Sequence, residues 1–314
     1  RARGTKLVPI GFTPADSMLS DLMQQYWVNF VKAGDPNGSG LPLTEPGTRN
    51  QALVFSRDGR LAAWSRAVRG SGDYAIIVAD PADPSSRRVA WQGTGAVYPS
   101  DISDDGRRLL VTRSVSNRES RLLLLDLDTG QARELAWSAA EPARWEEARF
   151  ARDGRSVLAI TNRGGDFRRL VEVELDSGRL MPVSPELSWD VESFDLSDDG
   201  RLLAYAVNEE GYSRIAMIDF VTRRALPQPE LPRGVLTGLG FSPDGRRVAN
   251  CLATPTSPGD VWSHDVAGGE LTRWTASELG ELDPAGLAEP RLIRFESFDG
   301  LSIPHMEYPG IAIA

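Results

Sequence analysis

Few residues in this chain are equipped for chemistry. There are two histidines, His264 and His305, and one cysteine, Cys251. A Ser-His-Asp site would need one of the two histidines. His264 falls in a stretch whose counterparts elsewhere in the chain are apolar, so it reads as a packed or edge residue. His305 lies near the C-terminus and reads as solvent exposed. A histidine-rich metal site, a cysteine-rich one and an internal disulfide are excluded by count. Cys251 sits in a predicted strand and reads as an inert core thiol. No Gly-x-Ser-x-Gly occurs anywhere in the sequence, so the strand-to-helix elbow that presents a hydrolase serine is missing.

Carboxylates remain. Eight positions upstream of five recurring glycines stand Gln51, Tyr98, Glu146, Glu192 and Thr237, with Asp101, Glu147 and Asp190 close in register. If those five positions are equivalent in the fold, they form a ring. Its paired carboxylates could then bind a cation such as calcium, or an amine. The same residues also read as a solvated acidic mouth with no ligand, since most charge clusters are solvated surface. Both readings stay open at this point.

The elements that would position the ring come from a repeat. An apolar residue, a small residue, a variable residue and then Asp-Gly-Arg recur as Phe55–Arg60, Ile102–Arg107, Phe150–Arg155, Leu196–Arg201 and Phe241–Arg246. The glycines Gly59, Gly106, Gly154, Gly200 and Gly245 are 47, 48, 46 and 45 residues apart, which is the period of a propeller blade. Asp-Gly between apolar runs is a hairpin signal, because glycine takes a positive φ without a Cβ clash. Strands follow each turn, such as Arg108–Thr112, Arg121–Asp126 and Ala132–Leu135, with a second turn at Asp128-Thr-Gly130. The expected fold is therefore all-β: a β-propeller of about five four-stranded blades, as a closed ring or an open arc, with the repeated aspartates holding turns.

Two ends lie outside the repeat. Residues 1–48 carry Thr13-Pro-Ala-Asp16, a helix start, followed by Leu19, Leu22, Met23, Tyr26, Trp27, Phe30 and Val31 on one helical face. The blades are expected over 49–276, and a linker with one further hairpin around Asp299-Gly300 over 277–314. A short helix is expected over Thr275 to Gly280.

Five segments resemble known families. Trp189–Gly200, Ser257–Trp262 and Leu271–Gly280 resemble the propeller of prolyl-oligopeptidase-family serine peptidases, of the acylaminoacyl- or dipeptidyl-peptidase-like kind. Arg294–Pro304 resembles the passage from that propeller into an α/β-hydrolase domain. The resemblance covers Gln51 to Pro304 and implies a domain that covers an active site and filters peptides. Ala15–Asn37 resembles the last helix of a type-B carboxylesterase. A fusion of two fragments without the hydrolase domain is thus expected, and no catalytic residue carries over.

The leading expectation is a non-catalytic propeller fragment that gates or binds substrate. The alternatives are a hydrolase of esterase, lactonase or phosphoesterase type working through the acidic channel residues, metal-assisted or not, and a self-associating scaffold. A net charge of −9 argues against nucleic acid and anionic membrane as partners. The remaining partner expectations are a homodimer and a peptide or small molecule in the channel. The absence of a signal-like apolar core at the start favours a cytoplasmic location.

Overall fold

The structure, a computed structural model, describes residues 47–136, 138–283 and 286–308. The amphipathic helix expected before residue 47 lies outside them. Five four-stranded antiparallel sheets follow one another along the chain. The first blade holds β1 (Thr48–Phe55), β2 (Ala62–Val68), β3 (Tyr74–Asp80) and β4 (Asp83–Gln92), and the second β5 (Ala96–Ile102), β6 (Arg108–Ser114), β7 (Ser120–Asp126) and β8 (Ala132–Glu134). The third holds β9 (Trp145–Phe150), β10 (Ser156–Thr161), β11 (Arg169–Glu174) and β12 (Leu180–Pro182). The fourth holds β13 (Val191–Leu196), β14 (Leu202–Glu209), β15 (Tyr212–Asp219) and β16 (Arg224–Ala225), and the fifth β17 (Val235–Phe241), β18 (Arg247–Thr254), β19 (Ser257–Asp265) and β20 (Leu271–Arg273). A two-stranded hairpin, β21 (Arg291–Glu296) and β22 (Ser302–Glu307), ends the described chain.

Each Asp-Gly sits between the first and second strands of its blade, and the five glycines have φ between 64° and 71°. Four of the five turns, all but the one that carries Ala151, share one set of side-chain bonds. The serine Oγ donates to the aspartate Oδ1, at 2.7 Å for Ser56–Asp58 and 2.6 Å for Ser197–Asp199. The same oxygen takes the amide of the next strand, as in Leu61 N at 2.9 Å and Leu202 N at 2.8 Å. These bonds hold Asp58, Asp105, Asp199 and Asp244 below the usual carboxylate range, the serine hydroxyl contributing most. The repeated aspartates are thus fully engaged in their own turns.

Blades stack through apolar faces. Ile76, Val78 and Ala63 of the first meet Val97, Leu109 and Leu123 of the second. Leu110, Leu122 and Leu124 meet Trp145, Phe150 and Val171 of the third. Leu158, Ile160 and Leu170 meet Phe194, Leu203 and Tyr205 of the fourth. Ala204, Ile215 and Met217 meet Leu236, Val248 and Leu252 of the fifth. Five blades thus have four cores; among the described residues no core cluster joins the fifth blade to the first. Arginines add outer ties, from Arg88 Nη2 to the Leu127 carbonyl at 2.9 Å and from Arg133 Nη2 to that of Leu175 at 2.7 Å.

Two local expectations need correction. Thr275 to Gly280 forms no helix. Asp260, enclosed in β19, recruits that segment instead: its Oδ1 accepts from Ser277 N at 2.7 Å and Thr275 Oγ1 at 3.0 Å. Cys251 is half-buried on β18, not enclosed in a core.

Candidate functional site

The first strands of successive blades lie side by side and line the axis. Every one of them is interrupted by a register shift, at Gln51/Val54, Pro99/Asp101, beside Glu147, at Val191/Ser193 and at Thr237/Gly240. Such a bulge bends the strand and leaves residues without a ladder partner. Ala52, Glu147 and Gly238 take positive φ there, at 55°, 32° and 66°. Four of the five aligned positions keep one register, Gln51, Tyr98, Glu146 and Thr237 pairing with Ser65, Thr112, Ile160 and Cys251, each six residues after its glycine, whereas Glu192 falls inside its bulge.

Gln51 and Tyr98 are neighbours at the first two blades. Tyr98 stacks edge-on against Tyr74 with ring centroids 5.8 Å apart, and burial first, then Tyr74, raises its pKa. Glu146 lies between two arginines, Oε1 on Arg144 Nε and Oε2 on Arg168 Nη1. Asp190 holds the same Arg168, with Oδ2 3.1 Å from Nη2 and Oδ1 accepting the Arg168 amide at 2.6 Å. Burial opposes the charge on Arg168, but Asp190 and Glu146 outweigh it and raise its pKa. Glu146 and Asp190 are therefore brought together, already neutralised. Glu192 is half-buried in the β13 bulge, and Thr237 is exposed opposite Cys251.

Asp101 and Glu147 do something different. Asp101 Oδ2 accepts the Phe150 amide of the next blade at 2.8 Å, and Glu147 Oε2 accepts that of Phe194 at 3.2 Å. Asp195, absent from the sequence expectation, does the same for Phe241 at 2.7 Å. These channel acids staple the first strands of the second, third and fourth blades to the one that follows. Burial raises the pKa of both Asp101 and Glu147, partly offset by the amide each accepts and by Arg149. Arg149 Nη1 is 3.4 Å from Asp195. Among the described residues no group of three or more His, Cys, Asp or Glu is placed to hold a metal ion.

The two mouths of the channel differ. At the strand-start mouth, two adjoining clefts open, one between the second and third blades and the other between the third blade and the start of the fourth. One of about 540 Å³ is lined by Ser116, Asn117, Arg118, Glu119, Arg144 and Asn162. The other, about 370 Å³, shares Arg144 and Asn162 and adds Glu146, Asp166, Arg168 and Asp190. Arg144 is locked as their common wall, its Nη1 donating to the Asn117 carbonyl at 2.8 Å and its amide to Asn162 Oδ1 at 2.8 Å. At the Asp-Gly mouth, the middle residues of the turns meet. Arg57 Nη2 donates to Asp198 Oδ1 at 2.7 Å and also to the Asp198 carbonyl. Arg152 Nη1 lies 3.3 Å from Asp104, and its Nη2 3.9 Å from Asp198. Burial, then the nearby Arg57 charge, lowers the Arg152 pKa. The variable position of the repeat reads Arg57, Asp104, Arg152, Asp198, Pro243, an alternation of sign that was the available signal for this contact.

The histidines stand apart from both mouths. His264 is 1% exposed on β19, neither ring nitrogen has a partner, and burial lowers its pKa. His305 is exposed on β22, with its ring 6.3 Å from that of Phe295. Among the described residues no helix is long and apolar enough to cross a membrane.

No family model matches the chain. Carboxylesterase 5A of Canis lupus familiaris is 54% identical over 33 residues, 10% of this chain and 6% of its own length. The Felis catus protein of the same name is 44% identical over 44 residues, 14% of this chain and 8% of its own length. Among solved structures, puromycin hydrolase matches 85% of this chain at a TM-score of 0.69 and 19% identity. A puromycin-hydrolyzing peptidase of Mycobacterium tuberculosis matches 86% at 0.68 and 20%, and a prolyl endopeptidase 86% at 0.61 and 16%. The chain spans 43% of the length of each of the first two and 47% of the third. With five consecutive four-stranded blades and these neighbours, the chain has the β-propeller fold found in the propeller regions of prolyl-oligopeptidase-type enzymes.

Proposed function

We propose that this chain serves as a non-catalytic propeller module of a prolyl-oligopeptidase-like hydrolase, binding or screening small peptide-like ligands at its strand-start mouth. The likeness over 85% of the chain to less than half of puromycin hydrolase carries this reading. The residues agree with it. The sequence contains no Gly-x-Ser-x-Gly, His264 is enclosed without a polar partner, and His305 is exposed on a hairpin. The clefts beside Arg144 have the size of ordinary ligand pockets and are lined by charged and amide side chains, which suits polar ligands better than lipids.

A fluorophosphonate probe tests the non-catalytic half: no serine should be labelled, and stoichiometric labelling of one would overturn it. Titration with short peptides, followed by amide shifts, tests the binding half. Shifts should gather at Ser116–Glu119, Asn162 and Arg168. Shifts confined to the Asp-Gly turns would count against the proposed side.

A further inference from the structure

A closed propeller fixes its curvature because the last blade packs on the first. Here four apolar cores connect five blades, and among the described residues none joins the ends. Curvature then rests on a series of neighbour interfaces, and small adjustments in each add up along the arc. Among the described blades, an ion pair departs from this nearest-neighbour order. Arg57, in the first blade's Asp-Gly turn, reaches Asp198, in that of the fourth, 141 residues away. Its Nη2 donates both to the carboxylate, at 2.7 Å, and to the carbonyl oxygen of the same residue.

We propose that the Arg57–Asp198 pair is a cross-axis strut that sets how far the five-blade arc opens, and that it makes this opening sensitive to ionic strength. The local design suits the role. In the turns that carry Arg57 and Asp198, serine and aspartate satisfy one another and the following amides, which leaves the middle side chain as the one free to reach inward. Arg152, from the third blade, packs beneath with Asp104 and Asp198, so charges from four blades meet at one place. The Arg57 and Asp198 side chains are 34% and 58% exposed, so mobile ions have access to the pair and screen it. The apolar cores are not weakened in this way, so salt acts on the strut while leaving the blades intact.

The test measures the distance between the arc's ends. Spin labels at Ala82→Cys and Ala267→Cys, in a Cys251→Ala background, mark the equivalent turns between third and fourth strands of the first and fifth blades. At low salt one narrow distance distribution is expected. At about 1 M salt, where the screening length falls to about 3 Å, it should lengthen or broaden. Arg57→Gln should show the open distribution already at low salt and respond little to more. Asp104→Asn, which touches Arg152 but not Arg57, should behave as the parent. A distribution unmoved by salt overturns the proposal without any variant at the strut, so a poorly folding Arg57→Gln would not shield it. An Asp104→Asn effect equal to that of Arg57→Gln would overturn it as well.

Discussion

Asp195 and Phe241 are joined across the boundary between the fourth and fifth blades: the Phe241 amide donates to Asp195 Oδ2 at 2.7 Å. The same link recurs from Phe150 to Asp101 and from Phe194 to Glu147. Acids that face a channel suggest a binding ring, yet these supply acceptors to amides on first strands, each the edge of its own sheet.

Removing such an acceptor strands a buried donor. Asp195→Ala should lower stability by about 1–3 kcal/mol, read as a fall in the urea midpoint with unchanged slope. Asp195→Asn keeps an oxygen in place and should lose less. Equal losses in the two variants would refute the staple.

The buried channel acids also predict a pH effect. Burial raises the pKa of Asp101 in the native state, so the folded chain holds that proton more tightly than the unfolded one. Its contribution to stability therefore falls as pH rises from the unfolded carboxylate value, about 4, through the raised native value. Asp101→Asn retains an acceptor for Phe150 and removes the titration. The urea midpoint of the variant relative to the parent should increase between about pH 4 and pH 7. A constant difference would refute it.

Asp260 predicts the opposite sign. Its pKa is depressed well below the usual carboxylate range, first by the Ser257 hydroxyl and then by Ser277 N, Thr275 Oγ1 and Arg273. The stability it supplies is present above the unfolded carboxylate pKa and is lost as pH falls through the native value. Its grip on Thr275 and Ser277 is local, so Asp260→Asn should release that segment first. Faster hydrogen exchange is expected at Val261 and Ser277, with little change in the first three blades. Uniform acceleration along the chain would refute this.

Glycine matters for two separable reasons at the turns. At Gly106 (φ 69°) a Cβ would stand in open space, with nothing within 4 Å, whereas at Gly200 (φ 71°) the added carbon would meet Arg152 Cγ at 2.3 Å. Gly106→Ala should cost only the left-handed backbone term, about 1–2 kcal/mol. Gly200→Ala should cost more, and Arg152→Ala should recover part of the excess. Thermal melts of the four variants decide this, and equal losses at the two glycines would refute the steric term.

The blades were legible because their signal is local. Gly59, Gly106, Gly154, Gly200 and Gly245 each need a positive φ, and the apolar runs beside them bury strand faces. The final hairpin was legible for the same reason at Asp299-Gly300. The expected ring depended instead on residues at equal sequence offsets being equivalent in space. That phase holds at four of the five positions and fails at Glu192, which falls in a bulge, but equal placement does not fix chemistry: Glu146 pairs with arginines, and Glu147 turns to Phe194. The helix expected over Thr275–Gly280 was lost to Asp260, and the partner of Arg57 lies three blades on. Contacts of this reach leave no mark at short sequence distance.

Four cores for five blades have a consequence for how such a chain can change over generations. Where every repeat leans only on its neighbours, stability is roughly a sum over repeats and the interfaces between them. Duplication or loss of the fifth blade then alters the sum by one interface, whereas loss of the first also removes the Arg57 grip on Asp198. A sealed ring has no such latitude, because each added repeat forces all the others to readjust. The fifth blade is in this sense a growing edge, joined to the rest through one core.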